Sequence, residues 1–442
     1  MNMKKFALSL VGAGSIAAFA TGAALAQNEQ FIPVTTYDTG PFAVNGQPFM
    51  DGFVDYFKMI NARDGGIGGV KLTWEECETE YKPDRFVECY EKLKKKGPTG
   101  AAVFNPLGTG LTYAVIDRAA VDKVPVISMG YGRTDATDGR VFPYIFPLIT
   151  NYWSQSTTKI KFIGQKLGGM DNLKGKKIAN VYHESAYGKE TLPILEEQAK
   201  KYGFELKSYA VGGAAMTDQT AIWQQIRQYR PDFVIVSGWG VMNKVAIETA
   251  ARMAIPREKL VGVWWSCAEQ DTVPAGEAAI NYICASFHGA GKDYPVVQDV
   301  LKHVYAKKDG AGPEAAVGTI MWNRGLVNAI LVVEAIKKAQ GKFGKKPLTG
   351  EQVRWGIENL DLTDDYIKSI GATGLVPPMK VTCNDHEGSG RARFVQWTGK
   401  EWKNVSDWID SDQSLVRPMI EASSMQYAKE KNIVPRDCSK EM

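Results

Sequence analysis

The chain has 442 residues, of which 44% are hydrophobic and 23% are charged. Its 53 Lys and Arg residues against 49 Asp and Glu residues give a formal net charge of +4. This composition is typical of a globular protein and excludes a disordered or collagen-like chain. It also argues against a nucleic-acid binder, which usually carries a larger, clustered basic excess. The length exceeds one typical hydrophobic core and predicts two or more domains.

The first 26 residues have the pattern of a secretory signal peptide. Lys4 and Lys5 precede a short apolar run, and Ala24 and Ala26 form a small-x-small cleavage site ahead of Gln27. A membrane anchor is the alternative, but the run is short and rich in Gly, Ser and Ala. The later sequence contains no unbroken apolar stretch of about 18 residues. We therefore expect a mature, periplasmic chain that begins at Gln27.

An exported chain with an even number of cysteines can form disulfide bonds. Cys77 and Cys89 are close in sequence, one at a predicted strand end and one in the next predicted helix, so we predict that they pair. The sequence does not define the connectivity of the other four, which are Cys267, Cys284, Cys383 and Cys438. The four histidines are scattered and there is no C-x-x-C motif, so we predict no metal site and no cofactor.

Short strand-like runs alternate with helical spacings along the chain, which predicts an α/β fold built on parallel sheets. In the first array the predicted strands are 31–37, 70–75, 101–104 and 124–128, and the predicted helices are 49–61, a segment from Pro83, and 111–121. An irregular link follows at 142–150. In the second array the strands are 177–182, 204–209, 233–236 and 260–264, and the helices are 152–167, 190–202, 220–229 and 241–253. Residues 294–360 are mostly helical, and strands such as 391–396 follow position 379.

Ligands of open parallel sheets bind beyond the carboxyl ends of the strands. One such junction, 105–112, is Gly-flanked and opens a helix, which suits a carboxylate or phosphate. Thr109 and Thr112 could donate hydroxyl hydrogen bonds there. The alternative is that one of these threonines only caps the helix.

Aromatic residues recur at the other strand ends of both arrays. They are Tyr131 beside Gly132, Tyr187, Trp239, Trp264 and Trp265. A single aromatic residue is more often part of the core, but their repetition favours a ligand pocket with apolar walls. Nucleotide-binding and catalytic signatures are absent: the sequence has no Walker A motif, no G-x-S-x-G and no H-E-x-x-H. We predict that the protein is not an enzyme.

Several segments, in order along the chain, resemble the branched-chain (Leu/Ile/Val) amino-acid-binding type of periplasmic solute-binding protein of ABC importers. They are Gly40-Pro41, the stretch INARDGGIGG at 60–69, Tyr187-Gly188, Thr217-Asp218, Pro231-Asp232-Phe233 and Glu334-Ala335-Ile336. The resemblance implies a two-lobed type I fold, each lobe a parallel sheet flanked by helices, with three crossovers. It implies a signal peptide at 1–26, a first lobe from 27–147 and 286–365, and a second lobe from 148–285 and 366–442, including a C-terminal tail.

The resemblance also implies ligand contacts. Thr109, with Thr112 nearby, matches the carboxylate anchor, and Tyr131 and Gly132 match the next strand-end contact. Trp239 matches the pocket aromatic of the second lobe. The acidic residue that binds a ligand ammonium should fall near Trp264 and Trp265. This chain has aromatic residues there, and Glu269 comes a few residues late.

The sequence therefore predicts a monomeric periplasmic binding protein that delivers a small carboxylate to the permease of an ABC importer. An amino acid or another organic acid fits this prediction, and the aromatic residues favour an aromatic or apolar acid. Two alternatives remain: an exported sensor for a membrane receptor, and an enzyme of doubly wound fold.

Overall fold

The computed structural model describes residues 28–440. The predicted signal peptide and its cleavage site lie outside this part of the chain. The strands are β1 (Glu29–Thr36), β2 (Lys71–Glu78), β3 (Val126–Ile127), β4 (Ile145–Phe146), β5 (Lys177–His183), β6 (Glu205–Val211), β7 (Phe233–Ser237), β8 (Leu260–Gly262), β9 (Ile283–Ser286), β10 (Asp361–Leu362), β11 (Met379–Lys380), β12 (Arg391–Trp397), β13 (Trp402–Asn404) and β14 (Ile409–Asp410).

Helices separate most of these strands. They are α1 (Ala43–Asp64), α2 (Pro83–Leu93), α3 (Thr109–Tyr113), α4 (Ile116–Asp122), α5 (Tyr152–Lys166), α6 (Ala186–Lys189), α7 (Leu192–Tyr202), α8 (Thr220–Tyr229), α9 (Val241–Arg252), α10 (Glu269–Thr272), α11 (Pro295–His303), α12 (Ile320–Phe343), α13 (Gly350–Glu358), α14 (Asp364–Ser369) and α15 (Gln413–Lys431). In the described part of the chain no helix is long and apolar enough to cross a membrane.

The first lobe contains a parallel sheet in the order β2, β1, segment 101–104, β3, β4. β1 pairs with β2, and β3 pairs with β4, both in parallel. Segment 101–104 connects these pairs through hydrogen bonds, because Ala102 N–H donates to the Phe31 carbonyl and Ile127 N–H donates to the Phe104 carbonyl. The sequence predicted an irregular link at 142–150, but β4 lies inside it. The predicted helix 111–121 is two short helices, α3 and α4.

The second lobe contains a mixed sheet in the order β13, β12, β9, β8, β7, β5, β6. The five strands β5, β6, β7, β8 and β9 pair in parallel, as the sequence predicted. β12 then pairs antiparallel with β9, and β13 and β14 pair antiparallel with β12. The late strands therefore extend a parallel sheet at one edge. The two-lobed α/β prediction is confirmed, with this antiparallel edge as an addition.

Two long helices pack closely against each other in the first lobe. A Cβ on Gly52 of α1 would lie 2.0 Å from the Trp322 carbonyl oxygen, and one on Gly325 of α12 would lie 1.8 Å from the Phe49 carbonyl oxygen. Only glycine permits this backbone approach. Helix α12 follows β9 by more than thirty residues, so the chain has returned from the second sheet to the first lobe at this point.

The C-terminal helix α15 contacts both lobes. Val416 and Ile420 pack with Trp153 and Ile194, beside the second sheet. Farther along the helix, the Tyr427 ring stacks on a Phe142 ring at 4.8 Å between centroids, in the core of the first lobe. Three disulfide bonds complete the fold: Cys77–Cys89, Cys267–Cys284 and Cys383–Cys438. The first joins the two cysteines that the sequence analysis paired.

Candidate ligand-binding site

A partly open cavity lies between the two lobes, with about 240 Å³ of empty space that includes its opening to solvent. It is lined by Tyr81, Leu107, Gly108, Thr109, Tyr131, Tyr152, Tyr187, Trp239 and Trp265. Most of these residues follow the carboxyl end of a strand of one sheet or the other. The cavity is therefore located where an open α/β sheet places its ligand, with one wall from each lobe.

Hydrogen bonds within the first lobe hold its wall in place. The Tyr131 hydroxyl accepts from Leu107 N–H at 2.8 Å and donates to Asn105 Oδ1 at 2.6 Å. Thr109 Oγ1 accepts from Gly132 N–H at 3.3 Å, and its hydroxyl hydrogen can donate to the Tyr152 hydroxyl or rotate toward a ligand. α3 has only five residues, so the hydroxyl groups supply more of the polarity here than the helix terminus does.

Aromatic rings form the wall of the second lobe. The Trp239 and Trp265 rings meet edge to face at 5.4 Å between centroids, and the Tyr152 and Tyr187 rings lie 5.3 Å apart. The Tyr187 hydroxyl donates to the Gly238 carbonyl at 3.0 Å. In contrast, the indole N–H of Trp239 is buried and has no hydrogen-bond partner among residues 28–440. A buried donor without a partner is costly and suits an acceptor on a bound ligand.

The lobes contact each other around this cavity. The indole N–H groups of Trp264 and Trp265 both donate to the Gly130 carbonyl, at 2.6 and 2.9 Å. On another side of the cavity, Val241 N–H donates to the Pro41 carbonyl at 3.3 Å. The structure is therefore that of a closed form, with hydrogen bonds across the gap between the lobes.

A carboxyl group adds to this contact at the mouth of the cavity. Glu190, from the second lobe, accepts from Thr134 Oγ1 at 2.7 Å and Thr134 N–H at 3.2 Å, and from the Tyr113 hydroxyl. Desolvation between the lobes raises the pKa of Glu190 to about 7. Gly132 leaves room for this contact, since a Cβ there would lie 2.7 Å from Thr109 Cγ2 and 3.1 Å from Glu190 Oε1.

A family model described as periplasmic binding protein matches residues 29–401. The chain belongs to the periplasmic binding protein family. Proteins of this family bind substrates and are not enzymes, as the sequence predicted, and the family implies an extracytoplasmic location. No curated protein sequence matches the chain.

Solved structures agree with this assignment. A protein described as an ABC transporter permease from the Pseudomonas fluorescens group is 44% identical, with a TM-score of 0.87, over 93% of this chain and 99% of that one. A branched-chain amino acid ABC transporter protein from Thermus thermophilus with bound valine is 21% identical, with a TM-score of 0.75, over 89% and 99% of the two chains. A Rhodopseudomonas palustris solute-binding protein with bound benzoate is 16% identical, with a TM-score of 0.66, over 87% and 98%. The last two show a shared fold.

Five of the nine residues that the sequence proposed for the site line the cavity of this binding protein. They are Thr109, Tyr131, Tyr187, Trp239 and Trp265. The other four do not line it. Thr112 Oγ1 donates to the Gly108 carbonyl within its own helix, and Gly132 lies behind Thr109. Trp264 is fully buried, and Glu269 accepts from Ile320 N–H at 2.9 Å. These four residues support the lining residues or the contact between the lobes instead.

Sequence reasoning missed Tyr81 and Tyr152 altogether. Tyr81 follows the end of β2, a strand end that the sequence analysis did not inspect for aromatic residues. Tyr152 begins α5, directly after the chain crosses between the lobes. Aromatic residues that follow strand ends, taken together with those at the points where the chain crosses between the lobes, would have indicated both residues.

The cavity lining contains no carboxylate and no cationic side chain. Burial raises the pKa of all four lining tyrosines, so each keeps its proton at neutral pH. The Tyr131 and Tyr187 hydroxyls already donate to Asn105 Oδ1 and to the Gly238 carbonyl, so the indole N–H of Trp239 is the lining donor without a partner among residues 28–440. Within residues 28–440 no group of three or more His, Cys, Asp or Glu side chains could hold a metal ion.

Proposed function

We propose that this binding protein captures a small aromatic or otherwise apolar carboxylate and delivers it to the permease of an ABC importer. The observation that carries the proposal is the cavity lining: aromatic faces with hydrogen-bond donors and without a carboxylate. Donors aimed at a desolvated carboxylate make charge-assisted hydrogen bonds, which are stronger than neutral ones. The free donor of Trp239 and the hydroxyl of Thr109 are the first candidates to bind the ligand carboxylate.

The same lining disfavours an amino acid. A buried ammonium group needs an ionised partner or several acceptors. The carboxyl groups around the cavity are engaged elsewhere. Glu190 accepts from Thr134 and from the Tyr113 hydroxyl. Glu269 accepts from Ile320 N–H, and Asp271 accepts from Asn243 at 3.1 Å. We therefore propose that the resemblance to the Leu/Ile/Val-binding type applies to the fold of this protein and not to its ligand.

The lining favours a ligand that contains an aromatic ring. Four aromatic side chains, Tyr152, Tyr187, Trp239 and Trp265, line the cavity from the second lobe. Aromatic rings pack favourably on one another in edge-to-face and offset arrangements. The benzoate-bound relative from R. palustris has the same fold, which supports the proposal without deciding the ligand.

Delivery to an importer, export and oligomeric state are part of the proposal. The family assignment and the resemblance to importer proteins support delivery to a permease. We propose cleavage after Ala26 on the pattern of the first 26 residues, and a monomer as the working form. The mass of the exported protein would test the cleavage site.

A thermal-unfolding screen tests the ligand class. The panel contains benzoate, 4-hydroxybenzoate, valine, leucine and octanoate, each at about 1 mM. A ligand present at 100 times its Kd stabilises the folded state by about 2.7 kcal/mol, which raises the Tm by several degrees. We expect the one-ring acids to raise the Tm and the amino acids to leave it unchanged. A shift with valine and none with the aromatic acids would contradict the proposed ligand class.

A further inference from the structure

A buried arginine lies behind the aromatic wall of the second lobe. The Arg324 side chain, in the first turns of α12, is fully buried. Its Nε donates to His288 Nε2 at 3.0 Å and its Nη1 donates to the Trp264 carbonyl at 2.6 Å. The guanidinium carbon lies 4.6 Å from the centroid of the Trp265 ring and 5.0 Å from that of Phe287.

All of these contacts are to neutral groups. His288 Nδ1 lies 2.8 Å from the Gly289 carbonyl and donates to it, which leaves Nε2 as the acceptor for Arg324. Burial lowers the pKa of His288, so the imidazole is uncharged. Arg324 Nη2 has no hydrogen-bond partner among residues 28–440, and no carboxylate in that range forms a salt bridge with this arginine.

The two carboxyl groups that interact electrostatically with Arg324 are only about half ionised at neutral pH, and neither is hydrogen-bonded to it among the described residues. Burial raises the pKa of Glu269 and of Asp271 to about 7 each, although Arg324 lowers both. The other titratable groups that face it, Tyr152 and Tyr187, keep their protons. Burial lowers the pKa of Arg324 to about 9, and it still remains a cation at pH 7. Arg324 is thus a buried cation without a directly bonded carboxylate among residues 28–440.

We propose that Arg324 sets the preference of the cavity for anions over neutral molecules of the same shape, acting across Trp265. This inference rests on the proposed function. Trp265 contacts the guanidinium and also lines the cavity with Tyr131 and Trp239. A charge one ring thickness away acts strongly across a buried indole, because little dielectric screening lies between. Arg324 is therefore a positioning residue for ligand charge and does not touch the ligand.

Calorimetric binding of benzoate and its neutral isostere benzamide tests this role. We expect wild-type protein to bind benzoate more tightly, and Arg324→Met to lower the benzoate-to-benzamide affinity ratio roughly tenfold or more. Arg324→Lys keeps the charge and should keep most of the ratio. A purely structural role would weaken both ligands equally and leave the ratio unchanged.

A second pair of variants keeps the arginine and changes only its charge balance. Met321 Sδ lies 4.0 Å from Arg324 Nη1, so Met321→Glu places a carboxylate beside the guanidinium, and Met321→Gln is the matched neutral control. We expect Met321→Glu to lower the benzoate-to-benzamide affinity ratio and Met321→Gln to preserve it. This pair tests the role of Arg324 even if the Arg324→Met variant does not fold.

The outcomes separate this inference from the proposed function. A wild-type preference for benzoate that survives both Arg324→Met and Met321→Glu overturns the role of Arg324 and leaves the ligand class intact. Wild-type protein that binds benzoate no better than benzamide overturns the ligand class, and the role of Arg324 with it.

Discussion

The two walls of the cavity are built differently. The first-lobe wall, which we define as Tyr81, Leu107, Gly108, Thr109 and Tyr131, is held by hydrogen bonds within its own lobe, as the two hydrogen bonds of Tyr131 show. The second-lobe wall, Tyr152, Tyr187, Trp239 and Trp265, consists of aromatic rings. Its Trp239 leaves a buried donor without a partner among the described residues.

This difference indicates that the two walls have different roles in ligand binding. The first-lobe wall is preorganised, so it can orient a carboxylate while the lobes are apart, with little further loss of freedom. The second-lobe wall contributes apolar area and one free N–H, which reach the ligand only when the lobes close. The three variants below test each wall and the contact between the lobes.

The largest effect is expected from the second-lobe wall. Trp239→Ala removes a ring that we expect to pack on the ligand. Truncating a buried aromatic anchor of a binding site costs about 2 kcal/mol or more, so we expect benzoate affinity to fall about 100-fold or more. Trp239→Phe keeps ring area and loses only the N–H group, and should cost less. Isothermal titration calorimetry measures both variants.

A tryptophan outside the cavity provides the control. Trp355 packs against Phe343 at 5.7 Å between ring centroids, away from the site. Trp355→Ala should lower the Tm and leave affinity within about twofold. Equal losses of affinity from Trp239→Ala and Trp355→Ala would show that the second-lobe wall acts only through stability.

A smaller effect is expected from the first-lobe wall. Thr109→Ala removes one hydrogen bond to a charged group, worth roughly 1.5–3 kcal/mol, and affinity for benzoate should fall about 10- to 100-fold. Thr112→Ala is the matched control, because that hydroxyl already donates to the Gly108 carbonyl. The same calorimetry applies. Full affinity in folded Thr109→Ala, or an equal loss in Thr112→Ala, would place the carboxylate anchor elsewhere.

The smallest effect is expected at the contact between the lobes and depends on pH. The pKa of Glu190 is about 7 in the closed form, above its ordinary value of 4.5. We expect opening of the lobes to restore the ordinary value, so that closure takes up a proton. The contribution of Glu190 to the stability of the closed form is therefore fully present below about pH 4.5 and is lost as the pH rises through 7. Between pH 5.5 and pH 8 benzoate affinity should fall on the order of tenfold.

The variant Glu190→Gln isolates this contribution. It retains an acceptor for Thr134 and cannot ionise, so its affinity should change with pH less than that of wild-type protein. Other buried carboxyl groups, such as Glu269 and Asp271, are common to both proteins and cancel in the comparison. Parallel pH profiles for the two proteins, measured by calorimetry, would exclude Glu190 as a pH-sensitive contact.

Much of the fold could be predicted from the sequence because its parallel strands have strong local patterns. Helix 220–229 agrees with α8, and strand 233–236 is one residue shorter than β7. β4 was missed, since Pro143 and Pro147 flank only two strand residues that depend on pairing with β3. The antiparallel edge at β12 also depends on pairing between residues about a hundred positions apart, which a local pattern does not contain.

The site was predictable where a ligand residue follows a strand. Thr109, Tyr131 and Trp239 follow that rule and line the cavity. Trp264 and Trp265 are adjacent in sequence, but only the structure shows that one faces the cavity and the other is fully buried. Arg324 gave no signal at all, because a helical arginine is usually exposed and its burial results from packing between distant segments.

A crystal structure of the protein grown with benzoate tests the central claim most directly. We predict the ligand between the two walls, with its carboxylate within hydrogen-bond distance of Thr109 Oγ1 or Trp239 Nε1 and its ring against the indoles of Trp239 and Trp265. An empty cavity at saturating benzoate, or benzoate bound only outside the space between the lobes, would contradict it.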